Sequence, residues 1–122
     1  MAKKILFIEY PKCTTCQKAK KWLVEHGIEF EDRHIVEQNP SADELREWAK
    51  VSGLELKKFF NTSGLKYKAL ELKDKLSTMS DDEKIELLAS DGMLVKRPLV
   101  IVDDGKKVLV GFKEKEWEEV LI

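Results

Sequence analysis

Two cysteines separated by two residues, Cys13 and Cys16, stand in the stretch YPKCTTCQKAKKWL (residues 10 to 23), and the chain has no others. A thiolate is both a nucleophile and a metal ligand. The pair therefore admits half of a metal site, a structural bridge, or a reversible thiol pair that carries out redox chemistry. A structural zinc site takes about four ligands, usually as two close pairs, and only His26 and His34 remain as nitrogen donors. His26 lies ten residues beyond Cys16 on one predicted helix. That is roughly 15 Å along the axis, too far to share an ion held near about 2 Å. His34 falls on the next predicted strand at a spacing that fits no zinc finger. The expectation is that no metal is bound and that both histidines are surface or edge residues.

A structural disulfide is a weak alternative, because a bridge across so short a loop removes little chain entropy. The redox reading has a direct physical basis. Cys13 sits where a helix is predicted to begin, and free amides and the positive end of the helix dipole there favour negative charge on its sulfur. Lys12 adds to that field, so Cys13 is expected to be more acidic than a free thiol. Cys16, one turn into the helix, is less exposed and becomes the resolving thiol. It would attack a mixed disulfide on Cys13, release the reduced substrate and leave an intramolecular bridge.

These residues must be positioned by the elements around them. Ile5 to Ile8 is a short continuous apolar run that fits a buried strand. From Thr15, the residues Ala19, Trp22, Leu23 and His26 recur at helical spacing with lysines on the other side, and Gly27 stands where a helix ends. Ile28 to Val36 resumes extended alternation, so the first 36 residues read as a βαβ unit with parallel strands. Residues 39 to 92 are expected to be helical throughout. Ser41-Ala-Asp-Glu44 and Ser80-Asp-Asp-Glu83 are capping boxes, and Gly53, the Asn61-Thr-Ser-Gly64 break and Asp91-Gly92 close helical stretches. Leu45, Trp48, Ala49, Leu65, Leu70 and Leu72, followed by Ile85, Leu87 and Leu88, are the expected buried faces. After Pro98, Leu99 to Val102 and Val108 to Val110 flank the turn cluster Asp103-Asp104-Gly105-Lys106, which predicts an antiparallel hairpin. Glu114 to Leu121 closes as a helix with Trp117, Val120 and Leu121 inward. Pro98 can start its strand, since its missing amide would otherwise break a ladder bond. Local sequence leaves the isomer of the Arg97-Pro98 bond open.

The whole composition sets limits. With 122 residues, 43% hydrophobic and 37% charged, the chain reads as one globular domain able to bury a core unaided, with the helical segment as an insertion at about 39–92. A net charge of -1 gives no global attraction for polyanions, and the lysines near Cys16 read as a solvated helix face, so no nucleic acid or membrane surface is expected as a partner. No segment approaches the roughly 20 apolar residues of a membrane span, and the apolar stretch of MAKKILFIEY is too short for a signal peptide. The expected location is the cytoplasm, where a close cysteine pair is more often catalytic or metal-binding than structural.

Pro11-x-Cys13-Thr-Thr-Cys16-x-Lys18-Ala19 after a first strand, the helical insert, Arg97-Pro98-Leu99 and the closing ββα together resemble the arsenate reductase and Spx group of thioredoxin-like proteins, over nearly the whole chain. The resemblance implies an α/β, thioredoxin-like (glutaredoxin-like) fold: a mixed four-stranded sheet with an all-helical insertion between the βαβ and ββα halves. It also implies that Pro98 is cis and lies against the cysteine pair, that Arg97 stands beside Cys13, and that Thr14, Thr15, Lys12 and Pro98 contact substrate. Arsenate reductases of this group use one nucleophilic cysteine, matching Cys13, and several arginines that hold the oxyanion in paired hydrogen bonds. This chain keeps Arg97 from that set. It reads Phe60-Asn61-Thr62-Ser63-Gly64 and Gly111-Phe112-Lys113 where further arginines are expected, leaving Lys66 and Lys113 as point charges. The implied function is a thiol-disulfide oxidoreductase working with glutathione and glutaredoxin or thioredoxin on a small oxyanion or a disulfide, with no bound cofactor. The alternative is an Spx-like redox-sensing regulator that binds the RNA polymerase alpha subunit, with Gly53 near that contact. Gly53 is equally explained as a helix C-cap.

Overall fold

The computed structural model describes residues 4–122. Residues 1–3, the start of the stretch read against a signal peptide, lie outside them. Four strands form a single sheet: β1 (Ile5–Glu9), β2 (Glu31–His34), β3 (Leu99–Val102) and β4 (Lys107–Val110). Their order is β2-β1-β3-β4, with β1 and β2 parallel and the other two pairings antiparallel. The topology is that of a mixed four-stranded thioredoxin-like sheet.

The register explains how one sheet serves two cores. Phe7 pairs with Val100, which pairs with Leu109, and these face one side; Ile8, Leu99 and Val110 are aligned in the same way and face the other. Each face buries the residues that alternate along its strands. Helix α1 (Thr14–Glu25) and helix α6 (Glu114–Leu121) cover the first face with Ala19, Trp22, Leu23 and Trp117. The second face receives Leu45 and Trp48 from α2 (Ala42–Ser52), and Ile85 and Leu88 from α5 (Asp81–Ser90). Tyr67 of α3 (Leu65–Ala69) and Leu72 of α4 (Leu72–Lys75) complete that layer. Short 3-10 turns at Leu56–Phe59, Leu76–Thr78 and Gly92–Leu94 join the helices.

The local signals act as their chemistry requires. Both capping boxes form, with Ser41 and Ser80 accepting from the amides of Glu44 and Glu83. Gly53 terminates α2 at φ 69 and returns its amide to the Ala49 carbonyl. The turn after β3 places Asp103 and Asp104 at φ 49 and 59, a conformation that aspartate tolerates better than most residues. Two expectations are corrected. β2 is shorter than Ile28 to Val36, because Ile28 and Phe30 pack into the core from a segment that precedes the pairing. In the insertion, Leu65 is 86% exposed and Leu70 is 37% exposed. Helix α3 is only five residues long, and Tyr67 takes its one buried position.

Candidate functional site

The site is assembled at the junction of β1 and α1. Pro11 and Lys12 form a turn after β1, and Cys13 is the N-cap of α1, with backbone φ -81 and ψ 123. Its amide donates to the Tyr10 carbonyl at 2.9 Å, and its carbonyl accepts from the Gln17 amide at 3.0 Å. The first turn of α1 carries no acidic residue, so nothing in it competes for the helix-end field. Cys13 is half-buried and Cys16 is fully buried, and both are free thiols.

The two sulfurs are driven in opposite directions. Burial raises Cys13, but hydrogen bonds from the Cys16 backbone amide and thiol, together with the Arg97 guanidinium, outweigh it and hold the thiol below its ordinary value. Cys16 is pushed up to about 12, first by burial and then by the neighbouring Cys13 thiol and its charge, against the Tyr10 backbone and Arg97. Cys13 is therefore the more acidic of the two thiols and Cys16 the more reluctant to ionise.

Arg97 is delivered by the insertion. The 59–61 and 94–96 segments are laced antiparallel: the Asn61 amide donates to the Leu94 carbonyl at 2.8 Å, and the Lys96 amide to the Phe59 carbonyl at 2.7 Å. The next residue is Arg97. Its Nη1 donates to the Met93 carbonyl at 3.2 Å, and its guanidinium lies 5.2 Å from the centre of the Tyr10 ring. The Asn61 side chain, with its oxygen turned to the guanidinium, accepts from Nη1 at 3.2 Å and Nη2 at 3.3 Å. Asn61 thus engages Arg97 from the segment where further arginine was expected. Nothing local in the sequence marks Tyr10 or Asn61 as a holder of Arg97; the signal is their contact in space.

The remaining candidates separate. Thr15 and Arg97 line a cleft with Cys13, and Thr14 is exposed beside it on α1. Lys12 is exposed but does not line the cleft, and neither does the buried Pro98. The Arg97-Pro98 bond is cis, and Pro98 immediately precedes β3. Lys66 and Lys113 both line the cleft, although Lys66 is engaged by Asp91 at 3.1 Å. His26 Nδ1 lies 2.8 Å from the Trp22 carbonyl, with its ring stacked on Trp22. His34 Nδ1 accepts from the Val36 and Glu37 amides. Among the described residues, no three His, Cys, Asp or Glu side chains converge as metal ligands, and no helix is long and apolar enough to cross a membrane.

A thioredoxin-like sheet with an N-cap cysteine, a buried second cysteine and an arginine supplied by a helical insert defines a class of thiol proteins. The ArsC family description matches residues 8–120, and the chain belongs to the ArsC family. It is 63% identical over 115 residues to YusI, an uncharacterised protein of Bacillus subtilis, covering 94% of this chain and 96% of that one. The regulatory protein MgsR of the same organism is 32% identical, with 95% and 89% covered. The global transcriptional regulator Spx of Streptococcus pyogenes is 30% identical, with 87% and 76% covered. Among solved structures, an ArsC-family-related protein of Bacteroides fragilis superposes at TM-score 0.91 and 58% identity, covering 95% and 96%. The arsenate reductase of Vibrio cholerae superposes at 0.86 and 26%, covering 99% and 100%.

Proposed function

We propose that this protein is a thiol-disulfide reductase in which Cys13 is the nucleophile and Cys16 the resolving thiol. The observation that carries the reading is the placement of half-buried Cys13 at the N-cap of α1 with buried Cys16 one helical turn on, an arrangement that with Arg97 holds the first thiol below its ordinary value and the second above it. The Cys13 thiolate attacks one sulfur of a substrate disulfide; a Cys13–substrate bond forms, the substrate bond breaks, and the second substrate sulfur leaves as a thiolate that takes up a proton. The charge on Cys13 is then gone, and with it one of the influences that raise Cys16. Cys16 gives up its proton and attacks the Cys13 sulfur of the mixed disulfide; the Cys13–substrate bond breaks, the substrate sulfur first attacked leaves as a thiolate that takes up a proton, and a Cys13–Cys16 bridge remains. Two electrons pass to the substrate, and an external thiol donor, glutathione with glutaredoxin or thioredoxin, restores the dithiol. Arg97 stabilises the thiolate or an anionic ligand, and Thr15 in the cleft with exposed Thr14 beside it are the proposed substrate contacts; Lys12 and Pro98, outside the cleft lining, would reach substrate only where it extends beyond the cleft.

The test is pH-dependent alkylation of Cys13 followed by turnover. A midpoint below that of a free thiol, about 8.5, is expected, and a midpoint at or above it removes the activated nucleophile. Cys13→Ser should abolish turnover, and Cys16→Ser should trap a mixed disulfide. Parallel assays with arsenate, a small disulfide and an oxidised protein, each coupled separately to the two donor systems, identify substrate and donor.

A second reading is favoured by the relatives named as regulators. In it the same pair is a redox switch on a surface that binds the RNA polymerase alpha subunit. Gly53 has open space around a would-be Cβ and is flanked by exposed Val51 and Leu54. Pull-downs of oxidised and reduced protein discriminate: failure to enrich the alpha subunit in either state ends this reading.

A further inference from the structure

The cleft over Cys13 is far larger than the reacting sulfur requires. It encloses about 930 Å³, at the upper end of the roughly 300–1,000 Å³ typical of ligand sites. Its walls carry Lys57, Lys58, Lys66, Lys96, Arg97 and Lys113, against a single carboxylate, Glu55. Lys66 is engaged by Asp91. Among the described residues, Lys57, Lys58, Lys96 and Lys113 form no ion pair. A chain whose net charge is -1 therefore gathers uncompensated cations around its candidate nucleophile. Low-dielectric walls lined by one sign of charge focus the field and raise the local concentration of anions.

Charge alone would suit a small oxyanion, but the apolar part of the cleft would not. Leu65, at the start of α3, lines it while 86% exposed, and Leu54 lines it while 43% exposed. Half-buried Phe112 lines it as well. A small tetrahedral oxyanion held by Arg97 leaves most of this volume, both leucines and the outlying lysines unused. A polypeptide carrying a disulfide can use all of them: its sulfur reaches Cys13, carboxylates meet the lysines, and an apolar side chain covers Leu65.

Building on the reductase reading, the geometry points to protein disulfides in acidic segments with an apolar side chain nearby as the substrate class of this site. Attraction of this kind acts mainly on association rate and is screened by salt, the Debye length being about 10 Å at 0.1 M. The exchange is that described above, with the substrate disulfide accepting two electrons from the Cys13/Cys16 dithiol.

The experiment uses the reduced full-length protein in single-turnover reactions, so no recycling donor is needed. Three synthetic peptides of equal length each carry one disulfide and one leucine, flanked by glutamates, glutamines or lysines. A neutral small disulfide, hydroxyethyl disulfide, is run beside them. The glutamate peptide should react about tenfold faster than the lysine peptide at low salt, and the gap should close to about threefold or less at 0.5 M. The double variant Lys58→Glu/Lys113→Glu, which cuts the wall from six cations against one carboxylate to four against three, should bring the glutamate and lysine peptides to within about threefold at low salt, and Leu65→Ser should slow the glutamate peptide. An undiminished gap in the double variant overturns the substrate class. Equal rates on the three peptides, with hydroxyethyl disulfide still reduced, overturn the substrate class and leave the reductase reading standing. No reaction with any disulfide overturns both. Protection of Cys13 from alkylation by arsenate at lower concentration than by the glutamate peptide also overturns the substrate class. Lys58 and Lys113 are exposed, and Lys113 is the N-cap of α6, where a carboxylate is favourable, so folding of the double variant is expected.

Discussion

Arg97 acts on the Cys13 sulfur from a position held by three neighbours: the Met93 carbonyl, the Asn61 amide oxygen and the Tyr10 ring. A guanidinium on a flexible stem spends conformational freedom when it is fixed, and partners that hold it in the free protein reduce that loss. Asn61 is therefore a positioning residue. Removing it should weaken the influence of Arg97 on the thiolate without touching the sulfur. Arg97→Ala should raise the Cys13 alkylation midpoint by about one unit, the lower end of what an adjacent opposite charge produces. Asn61→Ala should raise it by roughly half as much, and Asn61→Asp, which keeps the acceptor and adds a charge, should restore the hold on Arg97 while drawing its field away from Cys13. An unchanged midpoint in Asn61→Ala would show that Arg97 needs no such support. The shared helix start of Cys13 and Cys16 is legible in the sequence itself, whereas the place of Arg97 beside Cys13 follows only from the resemblance carried by Arg97-Pro98-Leu99. Asn61 is not legible as a holder of Arg97, because the pairing of segments 59–61 and 94–96 that aligns it joins residues distant along the chain, and Tyr10, just after β1, meets Arg97 from farther still.

At the level of elements, legibility followed whether a signal was local. The two capping boxes, the Gly53 cap and the Asp103 to Lys106 turn depend on a few consecutive residues, and all form as their chemistry requires. Leu65 and Leu70 were misassigned because a helix of one and a half turns or less has no periodicity to read; tertiary contact chose Tyr67. Glu9 shows a further limit. It ends a strand whose other members are apolar, and is 3% exposed beneath α1. Lys20 lies 3.6 Å from its Oε2 and 2.7 Å from Asp32 of β2, and Oε2 receives no hydrogen bond among the described residues. Burial, followed by the hydrogen bond and charge of Asp32, raises Glu9 from 4.5 to about 7, and Lys20 offsets only part of this. A folded-state value above the unfolded one means the native state holds its proton longer. The associated stability is fully present below about pH 4.5 and is lost as the pH rises to about 7. Glu9→Gln should remove that slope and, after allowance for solvent screening, be more stable than the parent by about 1 kcal/mol at pH 8. Urea unfolding of both proteins at pH 4.5 and pH 8 checks it, and identical pH dependence would show that Glu9 does not titrate in this window.

At the scale of the whole molecule, the insertion is not an appendage. Ile8, Leu99, Ile101, Val108 and Val110 of the sheet share one buried cluster with Leu45, Trp48, Tyr67, Leu72, Ile85 and Leu88 of the helices. Gly92, where the insertion returns toward β3, is pressed against the chain just beyond β2. A Cβ there would collide with the Ile35 carbonyl oxygen and lie 2.9 Å from the Val36 Cα. These are backbone atoms, which no side-chain rotation can move aside, so one added methyl must shift the insertion relative to the sheet. Gly92→Ala should cost about 1–3 kcal/mol, the usual range for overpacking, and lower the Tm by about 3–6 °C for each kcal/mol at this size. If insertion and sheet form one cooperative unit, the loss appears as a displaced single transition. The tryptophans allow this to be read separately on each side, since Trp48 lies on the insertion-facing cluster and Trp22 and Trp117 on the other. Far-UV circular dichroism, fluorescence of the parent protein, and fluorescence of a Trp48→Phe variant that reports only the α1/α6 side should give coincident transitions with and without Gly92→Ala. A Gly92→Ala transition that splits, with the Trp22 and Trp117 signal surviving above loss of helical ellipticity, would show that the insertion melts on its own. Arg97 would then be presented to Cys13 by a part of the molecule that can detach from the sheet.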